Sequence, residues 1–442
     1  MHRKYIHFSD LSGRLDPLYY LSDLTIFTNR QITASIGDLC ISMYSGFAAG
    51  KETQVKKENG YIQIRPTNIM SDGRLSWEKN IYVPKNRNYD FIPQKAVLFN
   101  NTNSQELVGK TAILDIPNEG EYYCSNHITV IIPNQTRLLP EYLWIILNLY
   151  QRHNIFYSIC TNWNNQSGIN INLLKSIRIP IFSKETNVSL DYQQKIVAVW
   201  LEALSVKQQK EQEAKDLLNS IDDYILSELG IERPERTENG RFFYTSFRNI
   251  MGGELAPLSV KNRGQQSKST LFKETKLSTI ATIEKGQAIT SKDIISGDYP
   301  VIAGGQSSPY NHNQYNYKGN VVTVSASGAY SGYVWYHDYP IFASDCSVIY
   351  SKDEKVYLTK YIYEILHLRQ QEIYLLQKGA GQPHVYTSDL AQMTIPIVPL
   401  EKQREIISHC NKLRAAVEKL KQEGMNLVES AKKAIETIIL GE

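Results

Sequence analysis

The chain has 442 residues, 42% of them hydrophobic and 21% charged, a composition typical of a soluble protein with more than one core. Its net charge of +3 favours no class of partner by itself, and its five cysteines contain no CxxC pair, so we expect reduced thiols in a cytoplasmic protein. The opening MHRKYIHFSD has no apolar run that could serve as a signal peptide, and the longest apolar segment, near residues 142 to 149, is too short to span a bilayer.

The first part of the chain predicts a β-rich globular region. Runs of β-branched and aromatic residues bounded by turn residues predict short strands at 61 to 69, 96 to 101, 110 to 116 and 127 to 133. A short helix follows over 139 to 150, then a polar loop over 162 to 172. The region ends in an Ile-Pro-Ile strand at 179 to 181.

Residues 190 to 230 predict one long helix, because they contain no proline, no glycine before Gly230, and many good helix formers. At about 1.5 Å per residue, this rod is roughly 60 Å long. Its seam follows the alternating steps of four and three that are typical of a coiled coil. The seam consists of Ile196, Trp200, Ala203, Lys207, Lys210, Ala214, Leu217, Ile221, Tyr224 and Glu228.

The second part repeats this order. Strands are predicted at 299 to 305, 320 to 328, 332 to 337 and 346 to 351, followed by a helix over 358 to 371, a loop over 378 to 389 and an Ile-Pro-Ile strand at 395 to 397. A second rod begins at residue 400. Adding 210 to each seam number gives Ile406, Cys410, Leu413, Val417, Leu420, Gly424, Leu427, Ala431, Ala434 and Ile438, none of which is charged.

The two halves are an internal duplication. LDYQQKIV at 190 to 197 matches LEKQREII at 400 to 407, and Gln166 and Gln382 fall at the same distance before the Ile-Pro-Ile strands. Tyr5 and Phe8 correspond to Tyr244 and Phe247. We predict domains at 1–189 and 244–399, long helices at 190–230 and 400–442, and a polar linker at 231–243.

This layout resembles the specificity (S) subunit of type I restriction-modification systems over essentially the whole chain. The resemblance rests on AGQPHVYTSDLAQMTIPIVPLEKQREII, QSGININLLKSIRIPI, RLDPLYY and IEKGQAITSKDIISGDYPVIAGGQ, which occur as an ordered and largely duplicated set. The first half departs more from the pattern. It has Ser167-Gly168 where the second has Pro383-His384, and six extra residues before Leu190.

The resemblance implies an α+β fold in which two β-rich target recognition domains alternate with two long helices. These helices would pair as an antiparallel coiled coil around a pseudo-two-fold axis. Each domain would read one half of a bipartite site in double-stranded DNA. Two DNA adenine methyltransferase subunits would carry S-adenosylmethionine, and two restriction subunits, where present, would use ATP and Mg. The chain itself would hold no cofactor or metal and would not be a catalyst.

Elementary physics supports this interpretation. Half-sites read from one face of B-DNA are about a helical turn, 34–36 Å, apart, and a rod pair of roughly 60 Å can hold two readers at that order of distance. The first rod carries a charge of −4, which suits a protein partner better than DNA. The predicted helix-pair interface is Ile196, Trp200, Ala203, Leu217, Ile221, Tyr224, Ile406, Leu413, Val417, Leu420, Leu427 and Ile438.

The predicted DNA contacts lie in loops at strand ends, because Arg and Lys suit guanine, Asn and Gln suit adenine, and lysines also meet phosphates. Any single residue of this kind is more often part of a turn, so the set carries more information than its members. In the first half the candidates are Lys56, Lys57, Arg65, Asn68, Asn101, Asn103, Asn164 and Gln166. In the second half they are Gly304, Gln306, His312, Ser327, Tyr330, Lys378, Gln382 and His384.

The two candidate catalytic motifs in this sequence are incomplete. DPLY at 16 to 19 lacks the second proline of an amino-methyltransferase loop, and GFAAGK at 46 to 51 is too short for a phosphate-binding loop. Two other classes remain open from the sequence. One is the specificity module of a type IIB/IIG-like methyltransferase-nuclease, and the other is a scaffold that binds no DNA.

Overall fold

The computed structural model describes residues 27, 32–86, 88–115, 121–164, 166–181, 190–232, 267–290, 292–379 and 381–440. The predicted match of Tyr5 and Phe8 with Tyr244 and Phe247 lies outside these residues, as do the residues before Leu190 and most of the predicted linker. Chain contacts divide the structure into a first unit, Met1–Lys210 with Gln422–Glu442, and a second unit, Glu211–Lys421. Each domain is thus grouped with segments of both long helices.

Helices are named in chain order over the described residues. They are α1 Ile36–Leu39, α2 Pro140–Arg152, α3 Ile155–Ile159, α4 Ile171–Ser176, α5 Leu190–Leu229, α6 Leu277–Ile280, α7 Thr359–Leu368, α8 Gln370–Tyr374, α9 Thr387–Leu390 and α10 Leu400–Leu440. The two predicted rods are confirmed as α5 and α10. No helix of the described residues is long and apolar enough to cross a membrane.

The strands are named in the same way. In the first unit they are β1 Thr33–Ser35, β2 Cys40–Ser45, β3 Tyr61–Ile64, β4 Tyr82–Val83, β5 Val97–Asn100, β6 Thr102–Asn103, β7 Thr111–Ile113, β8 Tyr122–Cys124, β9 Ile128–Pro133, β10 Thr161–Trp163, β11 Gln166–Gly168 and β12 Arg178–Pro180. In the second they are β13 Ile231–Glu232, β14 Lys268–Ser269, β15 Glu274–Lys276, β16 Ala281–Lys285, β17 Tyr299–Ile302, β18 Asn311–His312, β19 Val321–Ser325, β20 Val334–His337, β21 Phe342–Ala343, β22 Cys346–Ser351 and β23 Thr394–Pro396.

Both units have the same sheet topology, which confirms the predicted duplication at the level of the fold. The first is built on an antiparallel sheet with strand order β2-β9-β5-β7, and the second on one with order β16-β22-β19-β20. Beside each lies a three-stranded sheet, β4-β3-β8 and β18-β17-β21, with one parallel pair. The Ile-Pro-Ile strands pair with β1 and β15.

A buried glutamine joins each domain to the start of its long helix. Gln193 accepts a hydrogen bond from Leu139 N (2.8 Å) and donates to Arg137 O (3.0 Å). Gln403, its counterpart at +210, accepts from Leu358 N (2.8 Å) and donates to Val356 O (2.9 Å). The two side chains are 1% and 0% exposed, so the glutamine that the two lead-ins share is a structural anchor.

A tyrosine makes the second duplicated anchor. Tyr142 Oη in α2 donates to Pro180 O (2.8 Å), and Tyr361 Oη in α7 donates to Pro396 O (3.0 Å). Each bond ties the short helix to the Ile-Pro-Ile strand that precedes a rod. The predicted helix over 358 to 371 is broken at Arg369, whose guanidinium turns inward to Glu274 Oε1 (2.7 Å).

The two long helices run antiparallel within each unit. In the first unit Tyr192 Oη donates to Ile438 O (3.3 Å), and Lys210 Nζ lies 2.6 Å from Glu423 Oε2. In the second unit the Tyr224 ring stacks on His409 with ring centroids 3.9 Å apart, and Glu228 forms an ion pair with Lys402. In both places the partner's residue number falls as that of α5 rises, which is the antiparallel order.

The predicted seam needs a correction near the end of α10. Leu427 and Ile438 were expected in the interface, but their side chains are 39% and 37% exposed. The buried stripe runs instead through Val428, Ala431, Ile435 and Ile439. Its steps of three, four and four follow an almost straight helix rather than a strict heptad, because this stretch packs on the domain as well as on α5.

The remaining predicted interface residues are placed as follows. Ile196, Trp200, Ala203, Ile221, Ile406 and Val417 are buried, and Leu217, Tyr224, Leu413 and Leu420 are half-buried. Lys207, a charged seam position, is neutralised by Asp72 of the domain, with Nζ 2.8 Å from Oδ2. The charge in the middle of the seam therefore has a partner in the first unit.

The units differ where each short helix meets the long one. In the second unit the Arg414 guanidinium binds both carboxylate oxygens of fully buried Glu364 at 2.6 Å. Burial alone would lower the pKa of Arg414, but the Glu364 carboxylate raises it. Counting from the tyrosine anchors and along the rods, Ile145 and Leu204 occupy the same positions in the first unit. The same junction is thus ionic in one unit and apolar in the other.

We predict that Arg414→Leu alone lowers the free energy of unfolding of the second unit by about 3–5 kcal/mol, because it leaves a buried carboxylate unpaired. The double variant Glu364→Ile with Arg414→Leu, which copies the first unit, should recover most of that loss. Denaturant unfolding of the full chain measures both, and Arg404→Leu, at an exposed position of α10, is the control. Equal losses in the single and double variants would contradict the interpretation.

Candidate functional site

A groove lies at the end of the central sheet in the first unit. Strand β5 ends at Asn100, and the next residue continues into the groove: Asn101 N donates to His127 O (3.0 Å), while Asn101 O accepts from Ile169 N (2.9 Å). The groove has a volume of about 540 Å³, and the described residues that line it are uncharged. It is lined by Ser45, Asn101, Thr102, Asn126, Thr129, Thr161, Trp163, Gly168, Ile169, Asn170, Ile171 and Asn172.

A hairpin forms one wall of this groove. Strands β10 and β11 pair antiparallel, and β11 also pairs with β6. Asn164, at the tip, has a φ of 41°, the left-handed conformation that asparagine tolerates in tight turns. The Trp163 ring, 46% exposed, lies against Gly168, where a Cβ would come within 2.3 Å of it. The hairpin therefore presents amides and one aromatic ring to solvent.

The second unit has a groove at the corresponding place. After β19, Ala326 N donates to Asp345 O (3.1 Å), and Ala326 O accepts from Val385 N (3.0 Å), the same two bonds that Asn101 makes. Its volume is about 390 Å³. It is lined by Lys285, Gly286, Ala288, Ile289, Ala326, Ser344, Asp345, Cys346, Ser347, His384, Val385, Tyr386 and Thr387.

The two grooves share a backbone framework and differ in charge. Backbone bridges join Ser327 and Lys378 to His384, in the place that the β6–β11–β10 pairing occupies in the first unit. The antiparallel pair of Lys378 and His384 closes the second unit's counterpart of the hairpin. Where the first groove offers amides and hydroxyls, the second offers Lys285, Asp345 and His384. One scaffold therefore presents two different sets of polar groups, as expected of two sites that recognise different ligands of one class.

Two charged groups are held in place by neighbours, Asp345 in the lining of the second groove and Lys378, which is bridged to the lining residue His384. Lys378 Nζ lies 2.9 Å from Asp389 Oδ2 and 5.5 Å from the ring centroid of Tyr386. The Ser327 hydroxyl donates to Asp345 Oδ2. Burial raises the pKa of the Cys346 thiol to about 12, so this lining cysteine stays neutral and is not a nucleophile at ordinary pH.

Some sequence-predicted contacts of the first unit lie in the protein interior. Asn68 is buried, with Oδ1 accepting from Arg65 N (2.9 Å) and Nδ2 donating to Ser76 O (3.0 Å). Asn101 is buried, and its Nδ2 donates to Thr129 Oγ1 (3.0 Å). Arg65 donates to Ala49 O (2.8 Å) and to Gln63 Oε1. Asn68 therefore supports a loop, which corrects the expectation that it faces a ligand, whereas Asn101 lines the groove and Arg65 is half-buried.

The other predicted residues of the first unit reach the surface. Lys56 and Lys57 are exposed at a 3₁₀ turn after β2, and Asn164 and Gln166 are exposed on the hairpin. Asn103 is half-buried, and its Oδ1 accepts from Ser104 N (2.9 Å). The hairpin residues border the groove, whereas the two lysines are not part of its lining.

In the second unit the structure brings most of the predicted residues together. A Cβ on Gly304 would lie 2.5 Å from Ser327 O, and Ser327 is bridged to His384, which is bridged to Lys378. Gln306, Tyr330 and Gln382 are exposed. His312 is buried, with Nδ1 accepting from Ile295 N (3.2 Å), so it belongs to the core rather than the groove.

Several lining residues were missed from the sequence. Trp163 lies in the polar loop predicted over 162 to 172. A tryptophan in such a loop is the sequence feature that could have identified it. Asp345 precedes the buried strand β22, and Lys285 ends the partly exposed strand β16, so neither lies in a polar run that composition would pick out. Only the sheet topology shows that these residues meet in one groove.

A family model described as the type I restriction modification DNA specificity domain matches residues 33–216 and 269–427. The two ranges, one in each half, cover well over half of the sequence, and the chain therefore belongs to that family. Its role is DNA sequence specificity in a type I restriction-modification system.

Relatives of the same kind match along most of the chain. A Methanocaldococcus jannaschii protein, provisionally named as the specificity subunit of type I restriction enzyme MjaX, is 23% identical over 406 residues, 88% of each chain. A chain solved in work on complex assembly and conformational transition of the type I R-M system aligns with a TM-score of 0.51 at 16% identity, covering 92% of this chain and 96% of that one. The S subunit from M. genitalium aligns with a TM-score of 0.46 at 14% identity, covering 93% and 97%.

The edge of each groove requires glycine. A Cβ on Gly46 would lie 1.9 Å from Cys124 O, and one on Gly286 would lie 2.1 Å from Ser344 O. The amides of these glycines donate to Ile128 O (3.4 Å) and Cys346 O (2.8 Å), which are equivalent positions. The GFAAGK motif thus begins with a glycine because two backbone segments cross there.

We predict that Gly286→Ala lowers the free energy of unfolding by about 1–3 kcal/mol, because the added methyl forces backbone apart. Gly305→Ala is the matched control, since its Cβ would meet no atom closer than 3.5 Å. Thermal unfolding of the two variants measures the difference. A Gly286→Ala variant as stable as Gly305→Ala would contradict the prediction, because it would show that the backbone at the edge of the groove can move apart without loss of stability.

Proposed function

We propose that each groove and its hairpin contact one half of a bipartite duplex DNA site, the first unit reading one half and the second unit the other. The observation that carries the proposal is the duplicated groove with a different set of polar groups in each copy. A repeated scaffold with unlike linings suits two half-sites of unlike sequence. Neutral amides, hydroxyls and single charges are the groups that read base edges.

The residues divide by chemistry. Base edges are met by exposed amides and hydroxyls of the hairpins and neighbouring loops, and phosphates by lysines. The base-contacting set is Asn103, Asn164, Gln166, Gln306, Tyr330, Gln382 and His384, with Gly304 allowing close approach and Ser327 acting through its hydrogen bond to Asp345. The phosphate-contacting set is Lys56, Lys57, Lys285 and Lys378. Arg65, Asn68, Asn101 and His312 are left out, because their polar atoms are engaged within the protein.

The two long helices set the unread gap between the half-sites and dock the methyltransferase subunits. Support comes from the uninterrupted length of α5 and α10 and from the acidic charge of the first rod, which suits a protein partner. The partners are two DNA adenine methyltransferase subunits, which bring S-adenosylmethionine, and restriction subunits that use ATP and Mg. This chain contributes recognition rather than catalysis, in the cytoplasm.

The first test is genome-wide methylation mapping of cells with and without this chain. We expect a bipartite adenine mark that disappears when the chain is removed. The purified chain alone should transfer no labelled methyl group from S-adenosylmethionine, because it is a reader. A mark that is continuous rather than split, or that persists without the chain, would contradict the proposal.

The second test changes the rods. Inserting seven helix-forming residues after Lys210 and seven after Lys421 adds about 10 Å to each helix and keeps the heptad phase. The preferred gap should then lengthen, by up to about three base pairs at 3.4 Å each, while both half-site sequences stay the same. Replacing residues 211–217 and 415–421 with other heptads of equal length is the control. A footprint with unchanged spacing would refute the role of the rods.

A further inference from the structure

The second groove contains one carboxylate among the described residues that line it, and that carboxylate is Asp345. It is exposed and stands between β21 and β22, where its backbone oxygen accepts from Ala326 N (3.1 Å). Its position is therefore fixed by the central sheet rather than by a loose loop. The carboxylate is thus presented to a ligand in the groove from a fixed backbone position.

The carboxylate is also oriented. The Ser327 hydroxyl donates to Asp345 Oδ2, and Ser327 is itself held by its backbone bridge to His384. Gly304 lies beside the same oxygen, since a Cβ there would be 3.3 Å from Asp345 Oδ2. The hydroxyl uses one oxygen, and a carboxylate has acceptor sites on both. The group is thus preorganised to accept a further hydrogen bond.

The first unit has a different residue at the same place. Asn101 N donates to His127 O as Ala326 N donates to Asp345 O, so His127 and Asp345 are equivalent positions. Thr102 and Ser327 follow Asn101 and Ala326 in the same way. The framework position that carries Asp345 in the second unit therefore carries a histidine in the first.

A fixed carboxylate is repelled by DNA phosphates. Its presence in a DNA-binding groove is therefore favourable only if the DNA donates a hydrogen bond to it. The donors in the major groove are the amino groups of cytosine and adenine. Adenine presents its N7 acceptor next to that amino group, which would face a carboxylate that can only accept, whereas cytosine presents no such acceptor. Cytosine is therefore the better match.

We propose that Asp345 determines specificity in the second half-site by accepting a hydrogen bond from the N4 amino group of a cytosine, with Ser327 as its positioning residue. This inference rests on the proposed DNA-reading function and adds to it one residue, one base and one hydrogen bond. The second half-site accordingly contains one cytosine. Replacing that cytosine lowers the binding affinity because its hydrogen bond to Asp345 is lost.

The experiment is selection of bound sequences from a random duplex pool by the full chain, assembled with its methyltransferase partners. Asp345→Ala should reduce the preference for cytosine at one position of one half-site by about 5- to 150-fold. Asp345→Asn should shift that position toward adenine, because an amide both donates and accepts. Ser327→Ala should weaken the preference at the same position without moving it to another.

Asp338→Asn, which removes the same charge from an exposed position of the same unit outside the groove lining, is the control and should leave every position unchanged. An unchanged cytosine preference in both Asp345 variants, or an equal loss at all positions, would overturn the role of Asp345 while leaving the bipartite reading intact. A wild-type chain that selects no bipartite sequence would overturn the proposed function as well.

Discussion

The fold depends on the burial of segments of both long helices in each hydrophobic core. Ile196 and Trp200 of α5 share the first core with Ile435 and Ile439 of α10, and Ile221 and Ile225 share the second with Ile406 and Cys410. An isolated amphipathic helix of this composition would be marginal in water, so its order comes from these packed faces. The domains and the rods therefore fold as joint units rather than as separate parts.

The duplicated anchors show how a repeated sequence specifies this arrangement. A buried glutamine and a buried tyrosine attach each short helix and Ile-Pro-Ile strand to the long helix that follows, with the same hydrogen bonds in both halves. Beyond these anchors the halves diverge. Glu364 and Arg414 form an ion pair where the first unit has Ile145 and Leu204, and the grooves diverge in the same way around a common backbone.

Much of the fold could be predicted from the sequence, because helix and strand periodicity are local signals. The rods, three of the four strands of each central sheet and the match of the two halves followed from periodicity and spacing, whereas the edge strands β2 and β16 were missed. The seam near Leu427 could not, because its exposure depends on packing against the domain as well as on the heptad. The residues of the site were harder to predict from the sequence than the fold was. Composition does not say whether a loop amide such as Asn68 turns inward, and Asp345 joins the groove only through the order of strands in the sheet.

In the proposed complex, two equivalent grooves read two separate parts of one duplex. Site-specific photo-crosslinking from Gln166 and from Gln382, which occupy matched exposed positions on the two hairpins, tests this claim most directly. With a duplex that carries the recognised site, each position should crosslink to a different half, with an uncrosslinked gap between them. Crosslinks from both positions to the same half, or from neither, would contradict the claim.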